Sequence, residues 1–286
     1  MKMTTKLRQM IASGQTAMGA TAYDGLTAKL VCEAGFDVIG ISGFQVSASM
    51  GIPDLELYSM TEMLIATRYI VQSSSVPVIA DCDTGYGNAI NVMRTVREFE
   101  RIGVAGLFIE DQVTPKSCPL LADPELNSLE VSVGKIRAAV AARTDPDLII
   151  IARTDAVTVD EGCRRTQAYA QAGADMVLTI SRCAQSYEDL VRIREAAGVP
   201  LLHMLTGWSE KLTPDQLDGV VGVGCFGMPT LFTVAQSLRT NLAALRRTHS
   251  SSALPLPMTT FADFKEFIGF PEVEKLQHRF IPMPPR

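Results

Sequence analysis

Acidic residues collect where short aliphatic runs of the chain end. Asp81 and Asp83 stand in Asp81-Cys82-Asp83-Thr84-Gly85-Tyr86-Gly87, Glu110 opens Glu110-Asp111-Gln112, and Asp155 closes Arg153-Thr154-Asp155. Brought to one place, such carboxylates repel one another at neutral pH unless a cation neutralises them. Oxygen ligands with no histidine nearby suit a hard divalent ion, Mg²⁺ or Mn²⁺, better than zinc. One aspartate at such a position can equally cap a helix; four acids on adjacent segments favour a metal site. Strand alternation sends Asp81 and Asp83 to the same side, while Gly85 and Gly87 also read as a tight turn.

Two further side chains bear on chemistry. Arg153 ends an aliphatic run, and an arginine buried there needs an anionic partner, for which a carboxylate substrate qualifies. Cys118 lies in the polar segment Pro115-Lys116-Ser117-Cys118, where a neighbouring ammonium favours the thiolate; a small core residue is the alternative reading. Cys32, Cys82, Cys163, Cys183 and Cys225 fall in or beside helix or strand patterns and read as core.

The positioning elements repeat eight times as an aliphatic run followed by an amphipathic stretch. The runs are 16–22, 37–42, 76–81, 104–110, 148–153, 174–180, 199–205 and 219–226. Nearly bare of polar residues until their last positions, they read as parallel strands buried on both faces. Helical spacing covers 27–33, 61–72, 89–101, 132–142, 161–172, 187–197 and 230–245, with Gly35, Gly103, Gly173 and Gly198 placed as left-handed stops. The pattern predicts an α/β fold, a closed (β/α)8 TIM-type barrel over 1–249, whose site lies at the C-terminal strand ends. An open doubly wound sheet is the alternative, but no GxGxxG follows the first run. Residues 250–286 form a helical extension, with helices at 261–268 and 272–280, that packs on its own barrel or on a neighbouring subunit.

Composition narrows the partners. Of 286 residues, 47% are hydrophobic and 20% charged, which excludes disorder. With 26 Lys+Arg against 31 Asp+Glu, a net charge of −5 and no basic run, nucleic acid is excluded as a partner. No apolar stretch approaches the ~18 residues of a membrane span, and no apolar segment follows the first residues. Six cysteines without CxxC pairing and three histidines leave no zinc set, so a reducing cytoplasm is expected.

Taken together, Ser42-Gly43, Pro53-Asp54, the Asp81–Gly87 run, Glu110-Asp111-Gln112, Pro115-Lys116-Ser117-Cys118 and Arg153-Thr154-Asp155-Ala156 resemble the isocitrate lyase/phosphoenolpyruvate mutase superfamily over nearly the whole chain. The sequence is most similar to its short methylisocitrate lyase-like and carboxyphosphonoenolpyruvate phosphonomutase-like members. The resemblance implies a Mg²⁺-dependent enzyme acting on 2-oxo or 2-hydroxy acids through an enolate-like intermediate. It also implies a barrel whose C-terminal helices are swapped between subunits of a homotetramer or dimer. By the same resemblance Asp83 is the direct metal ligand, and Asp54, Asp81 and Glu110 hold the metal's waters. Ser42 and Gly43 bind the oxoacid carboxylate, Arg153 binds substrate oxygens, and Cys118, with Lys116 beside it, protonates the released carbanion.

Four positions depart from the family pattern. Pro119-Leu120 follows the cysteine in place of Gly-His, and Thr179-Ile180-Ser181 lacks the usual glutamate. Met204 stands where asparagine is expected, and Gly40 replaces a tyrosine found in some members. Ile180, Met204, Leu205 and Trp208 then form an apolar wall, with Met204 and Trp208 as substrate-binding residues and Arg182 as the one cation nearby. Cys118, where the phosphonomutase and phosphonopyruvate hydrolase branch generally carries asparagine, favours a carbon–carbon lyase that releases pyruvate or glyoxylate, and the wall predicts a substrate with an apolar second fragment, as in an alkyl-substituted malate. Phosphonomutase, phosphonopyruvate hydrolase or oxaloacetate decarboxylase chemistry is the alternative, and a non-catalytic metal-binding scaffold a third reading.

Overall fold

A computed structural model describes residues 1–118, 123–180 and 182–281. Eight parallel strands close into a barrel in sequence order: β1 Ala17–Ala22, β2 Val38–Ile41, β3 Val78–Asp81, β4 Gly106–Glu110, β5 Ile149–Thr154, β6 Met176–Thr179, β7 Leu201–Leu205 and β8 Val221–Phe226. The helices are α1 Met3–Ala12, α2 Gly25–Glu33, α3 Gly43–Ser49, α4 Met60–Ser73, α5 Ala89–Arg101, α6 Leu129–Ala142, α7 Val159–Gln171, α8 Tyr187–Ala197, α9 Pro214–Leu217, α10 Pro229–Thr248, α11 Phe261–Ile268 and α12 Phe270–Phe280. This is the (β/α)8 fold that the repeated run-and-helix pattern predicts.

Alternation along each strand sorts the side chains. Ala17, Val38, Ile79, Phe108, Ile149, Ile151, Met176, Leu178, Leu202 and Val223 share one buried cluster inside the barrel. Leu7 of α1 joins that cluster, so α1 plugs the N-terminal end. The intervening positions, among them Ile39, Ile41, Ala80, Leu107, Ile109 and Ile150, pack outward with Val31, Met63, Val92 and Phe99 of the helix layer. Moving two residues along from an inward apolar side chain leads to Asp81 from Ile79, Glu110 from Phe108, Arg153 from Ile151 and Met204 from Leu202. The strand register pairs Glu110 with Arg153 across β4 and β5.

Local signals fix where the helices start and stop. Asp24, Ser59, Asn88, Ser128, Thr158 and Ser186 each accept a backbone N–H in the first turn of the helix they precede. Residues Met1–Leu231 make one compact unit and Phe232 onward a second, the division falling inside α10. In the second unit Thr260 caps α11, Gly269 ends it at φ +97°, and Lys265 lies 5.2 Å over the Phe270 ring of α12. No helix among the described residues is long and apolar enough to cross a membrane. All six cysteines are free.

Candidate active site

The site grows from the turn after β3. Asp83 has φ +46°, a left-handed conformation that aspartate tolerates better than most residues, and it turns the chain back over the strand ends. Asp81 is held on both oxygens, accepting the Asp83 N–H at 3.0 Å on Oδ1 and the Gly43 N–H at 2.8 Å on Oδ2. Gly43 must lack a side chain here, since a Cβ would lie 2.6 Å from the Tyr58 hydroxyl and 3.1 Å from Asp81. The Gly43 N–H, expected to bind an oxoacid carboxylate, is thus engaged by Asp81. Ser42 caps α3 by position only, its side chain making no capping hydrogen bond.

Two internal cations face these acids. The Lys116 ammonium is buried and pairs with Asp54 at 2.9 Å and with Asp83. Arg153 donates from Nε and Nη2 to the two oxygens of Asp155, at 2.7 and 2.9 Å, and pairs through Nη1 with Glu110 at 2.8 Å. The anionic partner that the sequence demanded for Arg153 is therefore supplied first by the protein. Burial pulls both cations' pKa values down, but Glu110 and Asp83 around Lys116, and Asp155 and Glu110 around Arg153, more than reverse it and keep them charged.

Positive charge still falls short. Asp54, Asp81, Asp83, Glu110 and Asp155 are five carboxylates against the two cations. Burial, reinforced by Asp83, pushes the Asp81 carboxyl up to about 6, and burial drives Glu110 well above the usual carboxylate range. Asp83 Oδ2 and both carboxylate oxygens of Glu110 are buried with no hydrogen-bond partner. Among the described residues no three His, Cys, Asp or Glu side chains form a direct ligand set. Asp83 Oδ2, buried and unpartnered, is an oxygen open to a hard cation, and Mg²⁺, which keeps several of its waters when bound, needs few direct protein ligands.

Cys118 is half-buried on the loop after β4, and Pro119-Leu120 lies outside the described residues. Glu56 Oε2 accepts the Lys116 N–H at 3.0 Å, and Gln112 Oε1 accepts that of Ser117 at 2.9 Å. Residue spacing did not mark Glu56 or Tyr58, and Tyr86 stood within the Asp81–Gly87 run with no role assigned to it. Burial first, then the charge of Asp83, holds both tyrosine hydroxyls protonated well above their ordinary range. Lys135 of α6 was also unmarked; its Nζ donates to the Thr84 carbonyl at 2.9 Å.

The apolar wall divides. Met204 packs with the barrel interior. Ile180 and Trp208 belong to the cluster around Val177, Cys183 and Leu190, and Leu205 packs with Leu217 and Val221. Trp208 lies 6.2 Å from the His203 ring, on the outward side of β7. Ser181 lies outside the described residues, and Arg182 pairs with Asp123 at 2.5 Å. At Gly40 a Cβ would lie 3.0 Å from Cys225 Sγ, leaving no room for a tyrosine.

The phosphoenolpyruvate phosphomutase family matches residues 7–248. Over 287 residues the chain is 37% identical to 2,3-dimethylmalate lyase of Eubacterium barkeri, covering 98% of this chain and 99% of that protein. It is 40% identical over 220 residues to oxaloacetate decarboxylase of Pseudomonas entomophila, covering 76% and 74% of the two chains. A crystal structure of phosphonopyruvate hydrolase in complex with oxalate and Mg²⁺ superposes with a TM-score of 0.90 at 31% identity, covering 99% of this chain and 100% of that one. The chain therefore belongs to the phosphoenolpyruvate mutase/isocitrate lyase superfamily, among its carbon–carbon lyases.

Proposed function

We propose that the protein cleaves the C2–C3 bond of an alkyl-substituted malate, releasing a 2-oxoacid such as pyruvate, with Mg²⁺ or Mn²⁺ as cofactor. The observation that carries this reading is Arg153, clamped by Glu110 and Asp155 beside a cluster of acids still short of positive charge. The full-length likeness to a dimethylmalate lyase and the inward Met204 support the substrate class. Burying further carboxylates against Met204 would cost several kcal/mol without new cationic partners, roughly the penalty for an unpaired buried charge. Free cysteines support action in the reducing cytoplasm.

In this mechanism Asp83 would hold the metal, with Asp54, Asp81 and Glu110 holding its waters, and the ion would supply the positive charge that polarises the oxoacid half. Arg153 spends two of its five N–H groups on Asp155 and pairs with Glu110 through Nη1, so its other N–H groups are left for the oxygens of the oxoacid half. The 2-hydroxyl gives its proton to a carboxylate of the cluster and becomes the carbonyl of the released oxoacid, the C2–C3 electron pair moves to C3, and Cys118 Sγ delivers a proton there, the thiolate regaining one from solvent. Lys116, two residues before Cys118, pairs with Asp54 and Asp83 and so ties the Cys118 segment to the acids of the site.

Phosphonopyruvate hydrolysis is the second reading, favoured by the 0.90 TM-score. A panel with Mg²⁺ decides: 2,3-dimethylmalate, other alkylmalates, oxaloacetate, phosphonopyruvate, isocitrate and methylisocitrate, followed by pyruvate release and phosphorus-31 spectra. The best rate is expected on an alkylmalate. Fastest cleavage of a tricarboxylate or of phosphonopyruvate would overturn the proposal.

A further inference from the structure

Gln112 is buried just beyond β4, and its backbone is fixed. Asn127 Nδ2 donates to the Gln112 carbonyl at 2.7 Å, a β-bridge joins residues 112 and 126, and the Val113 N–H donates to the Glu125 carbonyl at 2.8 Å. The two ends of the Cys118-bearing loop are pinned together there. The side-chain amide then reaches in two directions. Its Nε2 donates to Asp155 Oδ2 at 2.5 Å, and its Oε1 accepts the Ser117 N–H at 2.9 Å. Only this orientation of the amide satisfies both neighbours, because a carboxylate accepts and a backbone N–H donates.

Each neighbour belongs to a different half of the site. Asp155 grips Arg153, and Ser117 sits between Lys116 and Cys118. The Asp155 end is independently anchored: its N–H donates to Asp111 Oδ1 at 3.0 Å, and Asp111 Oδ2 accepts from Tyr169 at 2.7 Å and Arg165 at 3.0 Å. What Gln112 adjusts is consequently the other end, the backbone of Ser117 and the thiol next to it.

We infer that Gln112 is a positioning residue that sets the Lys116–Cys118 segment against the Arg153–Asp155 pair. Its role in turnover rests on the lyase reading above; its hold on the loop does not. The test is the alkylation rate of each cysteine by iodoacetamide in the full-length, Mg²⁺-loaded protein, followed by peptide mass spectrometry. Gln112→Met keeps the size of the side chain and removes its hydrogen bonds to Asp155 and Ser117. Cys118 is expected to react about fivefold faster, a loss of the order that releasing one such bond produces. The half-buried Cys32 and Cys163 are expected to keep their rates, which general loosening would raise as well. Should the Met variant not fold, Gln112→Glu carries the same comparison, since it sets a second carboxylate against Asp155. On whichever panel acid is turned over, kcat is expected to fall about tenfold with KM nearly unchanged. Failure of every acid would count against the lyase reading and leave the alkylation comparison standing. An unchanged Cys118 rate, or a rise shared by Cys32 and Cys163, would overturn the inference.

Discussion

Asp83 can be tested without disturbing the turn it forms. At φ +46° alanine would add backbone strain of about 1–2 kcal/mol, whereas asparagine tolerates that conformation and removes only the charge. Asp83→Asn is expected to abolish Mn²⁺ binding measured by electron paramagnetic resonance while the circular dichroism spectrum stays that of the wild type. EDTA should likewise stop turnover, and added Mg²⁺ restore it; full activity in metal-free buffer would sink the metal assignment. At Cys118 the expected outcome is a split. Cys118→Ser keeps oxalate binding but loses turnover by about 10²-fold or more, because a serine hydroxyl is a poor acid near neutral pH. Wild-type turnover in that variant would move decarboxylation or hydrolysis ahead of carbon–carbon cleavage with protonation. Asp81 and Glu110 were legible in the sequence because each stands two residues beyond an inward apolar side chain, with Asp83 and Asp155 two residues further on from Asp81 and Arg153; Asp54 was marked only by the family resemblance. Glu56 was not, since its partners Thr84 and Lys116 lie 28 and 60 positions away and only the folded barrel brings them together. Nor did the charge argument foresee that Lys116 and Arg153 would neutralise part of the cluster from within.

At the scale of elements, the strands were readable because burial on both faces leaves aliphatic runs, and Gly35, Gly103, Gly173 and Gly198 all take positive φ at the helix ends where their positions suggested. α3 has no counterpart among the helical stretches of the sequence, because seven residues opening on glycine carry too little periodicity to register. α1 carries Leu7 and Met10 at helical spacing, but its burial depends on the open end of a barrel that local sequence does not reveal. β7 supplies a prediction of its own. His203 points outward and is buried beside Trp208, its Nε2 has no partner, and burial alone pushes its imidazole down to about 4. An unfolded imidazole titrates near ~6.5, so between those values the unfolded chain binds a proton that the folded chain does not. The stability that His203 leaves intact above ~6.5 therefore falls as the pH drops toward 4, by about 2 kcal/mol at pH 5. In urea unfolding at pH 7 and pH 5, His203→Leu should lose less stability between the two pH values than the wild type does. Equal losses would show that His203 is not the acid-sensitive group of this strand.

The two units leave apolar surface that neither uses internally. In the barrel unit α2 and α4 expose Leu26, Leu30, Ile65 and Tyr69, and in the second unit α11 and α12 expose Phe261, Phe270, Val273, Leu276 and Phe280. Single exposed apolar residues need no explanation, but several along one short helix pair mark a surface that meets another molecule. We propose that the partner is a second copy of this chain, because an isologous contact lets each copy's apolar helices find the other's, and closed symmetric assemblies are the usual outcome for such surfaces. A stable contact of this kind buries about 1,200–2,000 Å² in total, which two or three helices can supply. Ultracentrifugation at micromolar concentration is expected to find a discrete dimer or tetramer. Val273→Glu with Leu276→Glu, which places two charges on the exposed face of α12 without touching the barrel unit's core, should shift that species toward monomer. The substitutions should leave the far-ultraviolet dichroism unchanged, because neither residue is buried in the chain itself. A wild-type protein that sediments as a monomer throughout that range would refute self-association, and an oligomer indifferent to the double substitution would place the contact on another face.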